Sequence, residues 1–234
     1  VGLLIPPSVG GFLANMAAAL AGRTTVNLNY TLSDEVLNYC VKSAGLKHVL
    51  TTRSFLEKKP IQLEGAEWVF VDEFKTKISG LDKAIAATQS YLPAPILESL
   101  LGLSRIKPDD ILSIIFTSGS TGEPKGVMLS QHNIGSNIDA VNQLLNLENT
   151  DVMMGVLPFF HSFGYTGTMW LPACFAPKAV YHFNPLDAKI IGKLSEKHKT
   201  TILMATPTFL KTYLKRIEKE QFADLDLVVV GAEK

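Results

Sequence analysis

Read along the chain, apolar residues alternate between short continuous runs and longer stretches at helical spacing. Residues 1–5 form a run that reads as a buried strand. Phe12, Met16, Ala19 and Leu20 then recur three and four apart, and Gly22 is the predicted stop. A short strand is predicted at 25–28. Ser33 is placed to cap the next helix, with Asp34 and Glu35 in the first turn, where the helix dipole favours acids. Leu37, Cys40, Val41 and Ala44 make its apolar face, and Gly45 ends it. Strands follow at 48–51 and 68–71.

From 75 to 108 the periodicity weakens, and Leu92-Pro93-Ala94-Pro95 interrupts it, so a subdomain junction is predicted there. Residues 111–116 are a continuous apolar run, as expected of a strand covered on both faces. Ile134, Ile138, Val141 and Leu145 mark a helix. Asp187 is placed to cap a helix carrying Ile190, Ile191 and Leu194. After a strand at 201–204, Thr206 and Pro207 have the types of an N-cap and a first helical residue. Leu210, Tyr213, Leu214 and Ile217 supply that helix's face, and 227–230 is the next strand. Such alternation predicts an α/β fold of mainly parallel sheets flanked by helices.

Composition narrows this picture. Across 234 residues the 22 basic and 22 acidic side chains cancel, which gives no footing for nucleic acid. Two cysteines, Cys40 and Cys174, build neither a disulfide framework nor a zinc site, which points to a reducing, cytoplasmic compartment. Residues 152–177 contain no Asp, Glu, Lys or Arg and are long enough to span a bilayer. Pro158, Gly164, Gly167 and Pro172 break that run, so it reads as a buried strand, a pocket-lining loop and a second buried element. Peripheral contact with the inner face of the cell membrane is the alternative for this segment. Apolar runs at both ends lead us to expect a piece of a longer protein.

The chemistry concentrates in Thr117-Ser118-Gly119-Ser120-Thr121-Gly122-Glu123-Pro124-Lys125-Gly126, between the 111–116 run and a helical stretch. Hydroxyls, backbone N–H groups freed by glycine, and a lysine are what a polyphosphate needs. Glu123 would repel phosphate and is expected to point outward. The pattern is not a Walker loop, since Pro124 and Gly126 stand where that motif needs glycine and a hydroxyl residue. Nor is it a nucleophile elbow around Ser120, since Ser118 stands where glycine is required.

The segment 117–127 resembles the phosphate-binding signature of the adenylate-forming superfamily, which includes acyl-CoA synthetases, luciferases and peptide adenylation domains. Three further stretches resemble its motifs in order: Leu157-Pro158-Phe159-Phe160-His161-Ser162-Phe163-Gly164, Thr206-Pro207-Thr208 and Gly231-Ala232-Glu233. Residues 26–31 and 49–55 look more narrowly like the acyl-acyl carrier protein synthetases, including the synthetase part of 2-acylglycerophosphoethanolamine acyltransferase.

The resemblance implies part of the N-terminal domain of that fold and ATP-dependent conversion of a fatty acid to acyl-AMP and pyrophosphate. The acyl group would then pass to coenzyme A or an acyl carrier protein. Amino or aryl acids, or nucleotide binding without catalysis, are the alternatives. By the same likeness Thr117 would help hold Mg²⁺, and Ser118, Gly119, Ser120, Thr121, Gly122 and Lys125 the ATP phosphates. Gly231, Ala232 and Glu233 would meet adenine. Phe160, His161, Phe163 and Gly164 would face the substrate, with His161 and Lys125 as the catalytic pair. Met169 and Trp170 are either channel wall or plain core. The family's later metal-binding glutamate, ribose-binding aspartate and hinged C-terminal domain with its lysine would fall after residue 234, so negligible adenylation is expected of these residues alone.

Overall fold

The computed structural model describes residues 1–117, 123–175 and 177–233, Lys75 by its backbone only. It divides into two units: Val1–Ile5 with Leu13–His132, and Pro6–Phe12 with Asn133–Lys234.

The first unit runs β1 (Gly2–Leu3), α1 (Val9–Leu20, whose start belongs to the second unit), β2 (Val26–Asn27), α2 (Asp34–Ser43), β3 (His48–Thr51), α3 (Arg53–Lys58), β4 (Glu67–Phe70), α4 (Phe74–Lys77), α5 (Gly80–Gln89), α6 (Ala94–Leu101), β5 (Ile111–Thr117) and β6 (Lys125–Ser130). Strands β1 to β4 form a parallel sheet in the order β2-β1-β3-β4. Ser33 caps α2 as its sequence predicts, and Leu37, Cys40 and Val41 pack with Leu4, Val26 and Val49 beneath it. Inside this core the Asn15 and Asn27 amides exchange two hydrogen bonds, of 3.1 and 2.8 Å, so neither is buried unsatisfied.

The run at 111–116 is a strand, buried at Leu112, Ser113 and Ile115 and bridged in parallel to Thr25. It is one arm of an antiparallel hairpin with β6, a strand the sequence reading missed. A continuous apolar run does not report the partner's direction. Residues 75–108 lie inside the first unit, whose boundary with the second falls after His132. Helices α5 and α6 bury no residue, and that exposure is why the segment lacks a helical stripe.

The second unit contains α7 (Gln131–Leu145, entered from the first unit), β7 (Val152–Gly155), a π-helical turn (Gly164–Trp170) running into α8 (Leu171–Phe175), β8 (Lys178–Tyr181), α9 (Ala188–His198), β9 (Ile202–Ala205), α10 (Pro207–Arg216) and β10 (Leu227–Val230). Its sheet is parallel, in the order β10-β9-β7-β8. Met154, Leu203 and Ala205 face α9 and α10, packing on Ile191, Tyr213 and Ile217. Asp187 and Thr206 cap these two helices as read from sequence. Two predicted face residues, Ile190 and Leu214, are exposed instead. Strand β10 lies at the sheet edge, leaving Val228 and Val230 exposed.

Much of the charge-free stretch 152–177 is buried, although His161, Ser162, Ala173 and Cys174 are exposed. All of β7 is buried, and so are Tyr165, Met169 and Leu171. Among the described residues no helix is long and apolar enough to cross a membrane.

Candidate active site

In the first unit, the β-hairpin sets Thr117 directly opposite Lys125. Register partners in an antiparallel pair share a face with Cβ atoms about 5 Å apart. A hydroxyl and an ammonium therefore face each other at the mouth of the hydroxyl-rich loop, and both are exposed. Ser118, Gly119, Ser120, Thr121 and Gly122 lie outside the described residues. Glu123 is exposed. A Cβ on Gly126 would come 3.0 Å from Ile114 Cγ2 and 3.4 Å from the Phe116 ring. The absence of a side chain there lets the hairpin arms close up behind Lys125.

In the second unit, the carboxyl ends of the parallel strands gather the remaining motifs, at the edge where open α/β sheets bind ligands. The loop after β7 folds back tightly on itself. His161 N–H donates to the Pro158 carbonyl (3.1 Å), and the His161 carbonyl accepts from Tyr165 N–H (2.8 Å). Phe163 N–H donates to His161 Nδ1 at 3.4 Å. An accepting Nδ1 carries no proton, so this hydrogen-bond pattern assigns the proton of the neutral ring to Nε2. His161 is thereby a fixed, exposed donor.

Gly164 makes this loop sterically feasible. A Cβ there would lie 2.2 Å from the Pro158 oxygen, a backbone atom with no room to move. The π-helical turn that follows has wider hydrogen bonding, a feature frequent at functional sites. Thr168 Oγ1 donates to the Gly164 carbonyl (2.8 Å), and Tyr181 Oη donates to the Thr168 carbonyl (2.8 Å). Burial pushes the Tyr181 phenol well up, so it stays a neutral donor.

Beside this loop lies an open cavity of about 620 Å³. Its apolar wall comes from Val141, Leu144 and Leu145 on α7, Phe163, Leu171, Met204 and Val229. Its polar groups are Asn137, His161, Ser162 and Thr166. Gly167 and Ala232 complete it.

Of the predicted substrate residues, His161 and Phe163 are on the wall, whereas Phe160 and Gly164 are not. Gly164 is buried and shapes the loop from behind; Phe160 is half-buried elsewhere. Met169 is wholly buried, so it is core and not channel wall, and Trp170 is also off the wall. Sequence reasoning missed Asn137, Thr166, Met204 and Val229. Only the period-two alternation of β9 and β10 could have flagged the last two.

The turn after β10 divides its labour. Gly231 N–H donates to the Ala205 carbonyl at 3.3 Å. Ala232 reaches the cavity in a left-handed conformation, φ 66°, which costs a non-glycine residue some strain. Glu233 does not line the cavity: its carboxylate accepts from Thr208 N–H (3.0 Å) at the start of α10. That hydrogen bonding holds its carboxyl below the usual carboxylate range. Among the described residues no group of three or more His, Cys, Asp and Glu is placed to hold a metal ion.

The mainly parallel α/β architecture is that of part of the N-terminal domain of the adenylate-forming fold. The family model for AMP-binding enzymes matches residues 1–234, and the chain belongs to that family. A 4-coumarate-CoA ligase of Narcissus pseudonarcissus is 27% identical over 242 residues, covering 98% of this chain and 42% of the relative. The chain thus spans about two fifths of the curated relatives it matches. The N-terminal domain of FACL13 from Mycobacterium tuberculosis superposes with a TM-score of 0.77 at 21% identity, covering 100% of this chain and 56% of that one. A fatty acyl-adenylate ligase from L. pneumophila, solved with acyl adenylate and pyrophosphate, gives 0.74 at 21% identity, covering 99% and 40%.

Proposed function

We propose that the protein carrying this chain activates a fatty acid with ATP, forming acyl-AMP and releasing pyrophosphate. The observation that carries the proposal is the Thr117–Lys125 pair across the mouth of the loop. A carboxylate is already ionised near neutral pH, so its attack on the α-phosphorus needs no base. The domain's task is to hold the reactants in line and to neutralise charge on the departing pyrophosphate. Lys125 supplies one positive charge for that oxygen-rich group. The Thr117 hydroxyl is a hard oxygen donor of the kind Mg²⁺ accepts beside phosphate, and the metal would neutralise further charge there. Ser118, Gly119, Ser120, Thr121 and Gly122 would cradle the phosphates, and Gly231 with Ala232 would meet adenine. Glu233 serves that turn by capping α10.

The cavity argues for the class of acid. Its wall is mainly apolar, and His161 sits on it with Nε2–H free to donate to a carboxylate or acyl oxygen. An apolar tail with a single anionic head suits that distribution. His161 acts here as an orienting donor, not as a proton carrier. The acyl group would pass to a thiol, on coenzyme A or on a carrier protein.

A second reading is favoured by the relative named as a 4-coumarate-CoA ligase: the same cavity would take an aryl acid. Radiolabelled pyrophosphate–ATP exchange by the full-length protein separates the two. Exchange that depends on hexadecanoate supports the fatty-acid reading. Exchange with a cinnamate-type acid and no straight-chain acid replaces it, and exchange with neither ends both.

A further inference from the structure

Helices α5 and α6 bury none of their residues. All of 80–88 in α5 is exposed, and α6 is exposed except at Leu97, which is half-buried. Helices of ten and eight residues are marginal in water unless one face is packed. Yet the sequence specifies both. Ser79 and Asp82 close a capping box at the start of α5. Pro95 stands in the first turn of α6, and Gly102 ends that helix in the left-handed conformation, φ 68°.

These helices carry large apolar side chains in solvent. Leu81, 70% exposed, and Ile85 stand one turn apart on α5 and share a face. Ile96 and Leu100 repeat that spacing on α6. Between the helices Tyr91 is 89% exposed, next to exposed Leu92. Helices encoded by their caps, with apolar faces left open, are built to be covered.

Charge singles out what covers them. The chain as a whole is neutral, but residues 74–105 hold four bases, Lys75, Lys77, Lys83 and Arg105, against two acids, Asp82 and Glu98. Asp82 is engaged by the cap: its carboxylate accepts from Ser79 N–H (2.8 Å) and from the Ser79 hydroxyl (2.6 Å). Apolar faces with an excess of cations suit a surface that is anionic outside and apolar beneath, the headgroup boundary of an acidic bilayer. That boundary covers apolar side chains without needing a matched shape, and a phenol such as Tyr91 suits its depth. We propose that α5, the turn at 90–93 and α6 dock the protein on an anionic bilayer surface. The docking lies in the first unit and holds for a fatty or an aryl acid alike.

The test uses the full-length protein and phosphatidylcholine vesicles with or without phosphatidylglycerol, read by co-sedimentation. Wild type is expected to bind the vesicles that contain phosphatidylglycerol. Leu81→Ser and Leu100→Ser should each weaken that binding about tenfold. Lys83→Gln should weaken it about fivefold, an effect that disappears without phosphatidylglycerol. All three side chains are exposed, so urea unfolding of the variants should match wild type. Tyr91→Trp reports the place: lipids brominated on their acyl chains should quench its added emission. Failure of wild type to sediment with the acidic vesicles overturns the proposal. So does a Tyr91→Trp emission that stays unquenched on sedimented protein, which would put the lipid contact elsewhere. Self-association lost in Leu100→Ser would give the face to a second copy, and a Tyr91→Trp emission already blue-shifted without vesicles would give it to another part of the protein; either result also overturns the proposal. Pyrophosphate exchange is measured without vesicles, so the proposed function is judged separately.

Discussion

In the first unit, the pairing of β5 with β6 brings Thr117 opposite Lys125, and both side chains remain in solvent. In the second, Asn137, His161, Met204 and Ala232 reach one cavity from four separate elements, and the backbone around them is tightly packed. Charge needs only local geometry, because a phosphate is attracted across several ångströms. Shape needs a whole core, because a cavity exists only where neighbouring elements hold it open. The hairpin should therefore lose function without losing stability, whereas the cavity should lose both together.

The largest break in that comparison is expected at Gly164. A methyl group there would press on the Pro158 carbonyl, which cannot yield without unwinding the loop that carries His161. Gly164→Ala should destabilise the chain by about 3 kcal/mol, the upper part of the usual overpacking range. Urea unfolding measures the loss, and hydrogen exchange should show weaker protection at the π-helical turn with the β5–β6 hairpin unchanged. A cost below about 0.5 kcal/mol would show that the loop is not packed as described.

The converse case is Lys125→Ala. Its side chain is exposed, so stability should stay within about 0.5 kcal/mol of wild type. Loss of a charged contact to phosphate is worth about 1.5–3 kcal/mol, a weakening of ATP by roughly 10- to 150-fold. Calorimetric titration with ATP checks it. An unchanged affinity would remove Lys125 from the phosphate site, and with it the observation on which the proposed function stands.

This division also decides what could be read from sequence. Local signals came through: Ser33, Asp187 and Thr206 cap as their types require. The loop at 117–126 was legible because hydroxyls, glycines and lysine are adjacent in the chain. His161 was legible from its motif, yet the residues that share its cavity were not, because only the folded sheet brings Met204 and Val229 to the same wall. Strand β6 was missed since Lys125, Gly126 and Ser130 dilute its three central apolar residues. Exposed α5 and α6 failed for the opposite reason, having no buried stripe to impose a period.

Thr206 sharpens the comparison at smaller scale. Its Oγ1 accepts from Phe209 N–H (3.3 Å) and fixes the start of α10, just past the strand that bears Met204. Thr206→Ala should cost about 1 kcal/mol, as lost caps do. Thermal unfolding reads it, and Thr206→Ser should recover most of the loss.

The smallest effect expected is at Glu233, and its sign is fixed. The carboxylate accepts from Thr208 N–H, and hydrogen bonding with Thr208 is the main cause that holds its folded pKa below the ordinary carboxylate value. A group whose pKa is lower when folded adds stability above its unfolded pKa, about 4.3 for glutamate, and that contribution disappears as pH falls through the folded value. Wild type should therefore lose, below about pH 4, a small increment of stability that Glu233→Gln never had. Urea unfolding of both across that range should give curves that converge in acid. Because the group is fully exposed, added salt should shrink the gap at neutral pH. Curves that stay parallel through the acid range would mean that the carboxylate's charge does not hold the turn to α10. Ala232 would then owe its place on the cavity wall to the backbone of β10 alone.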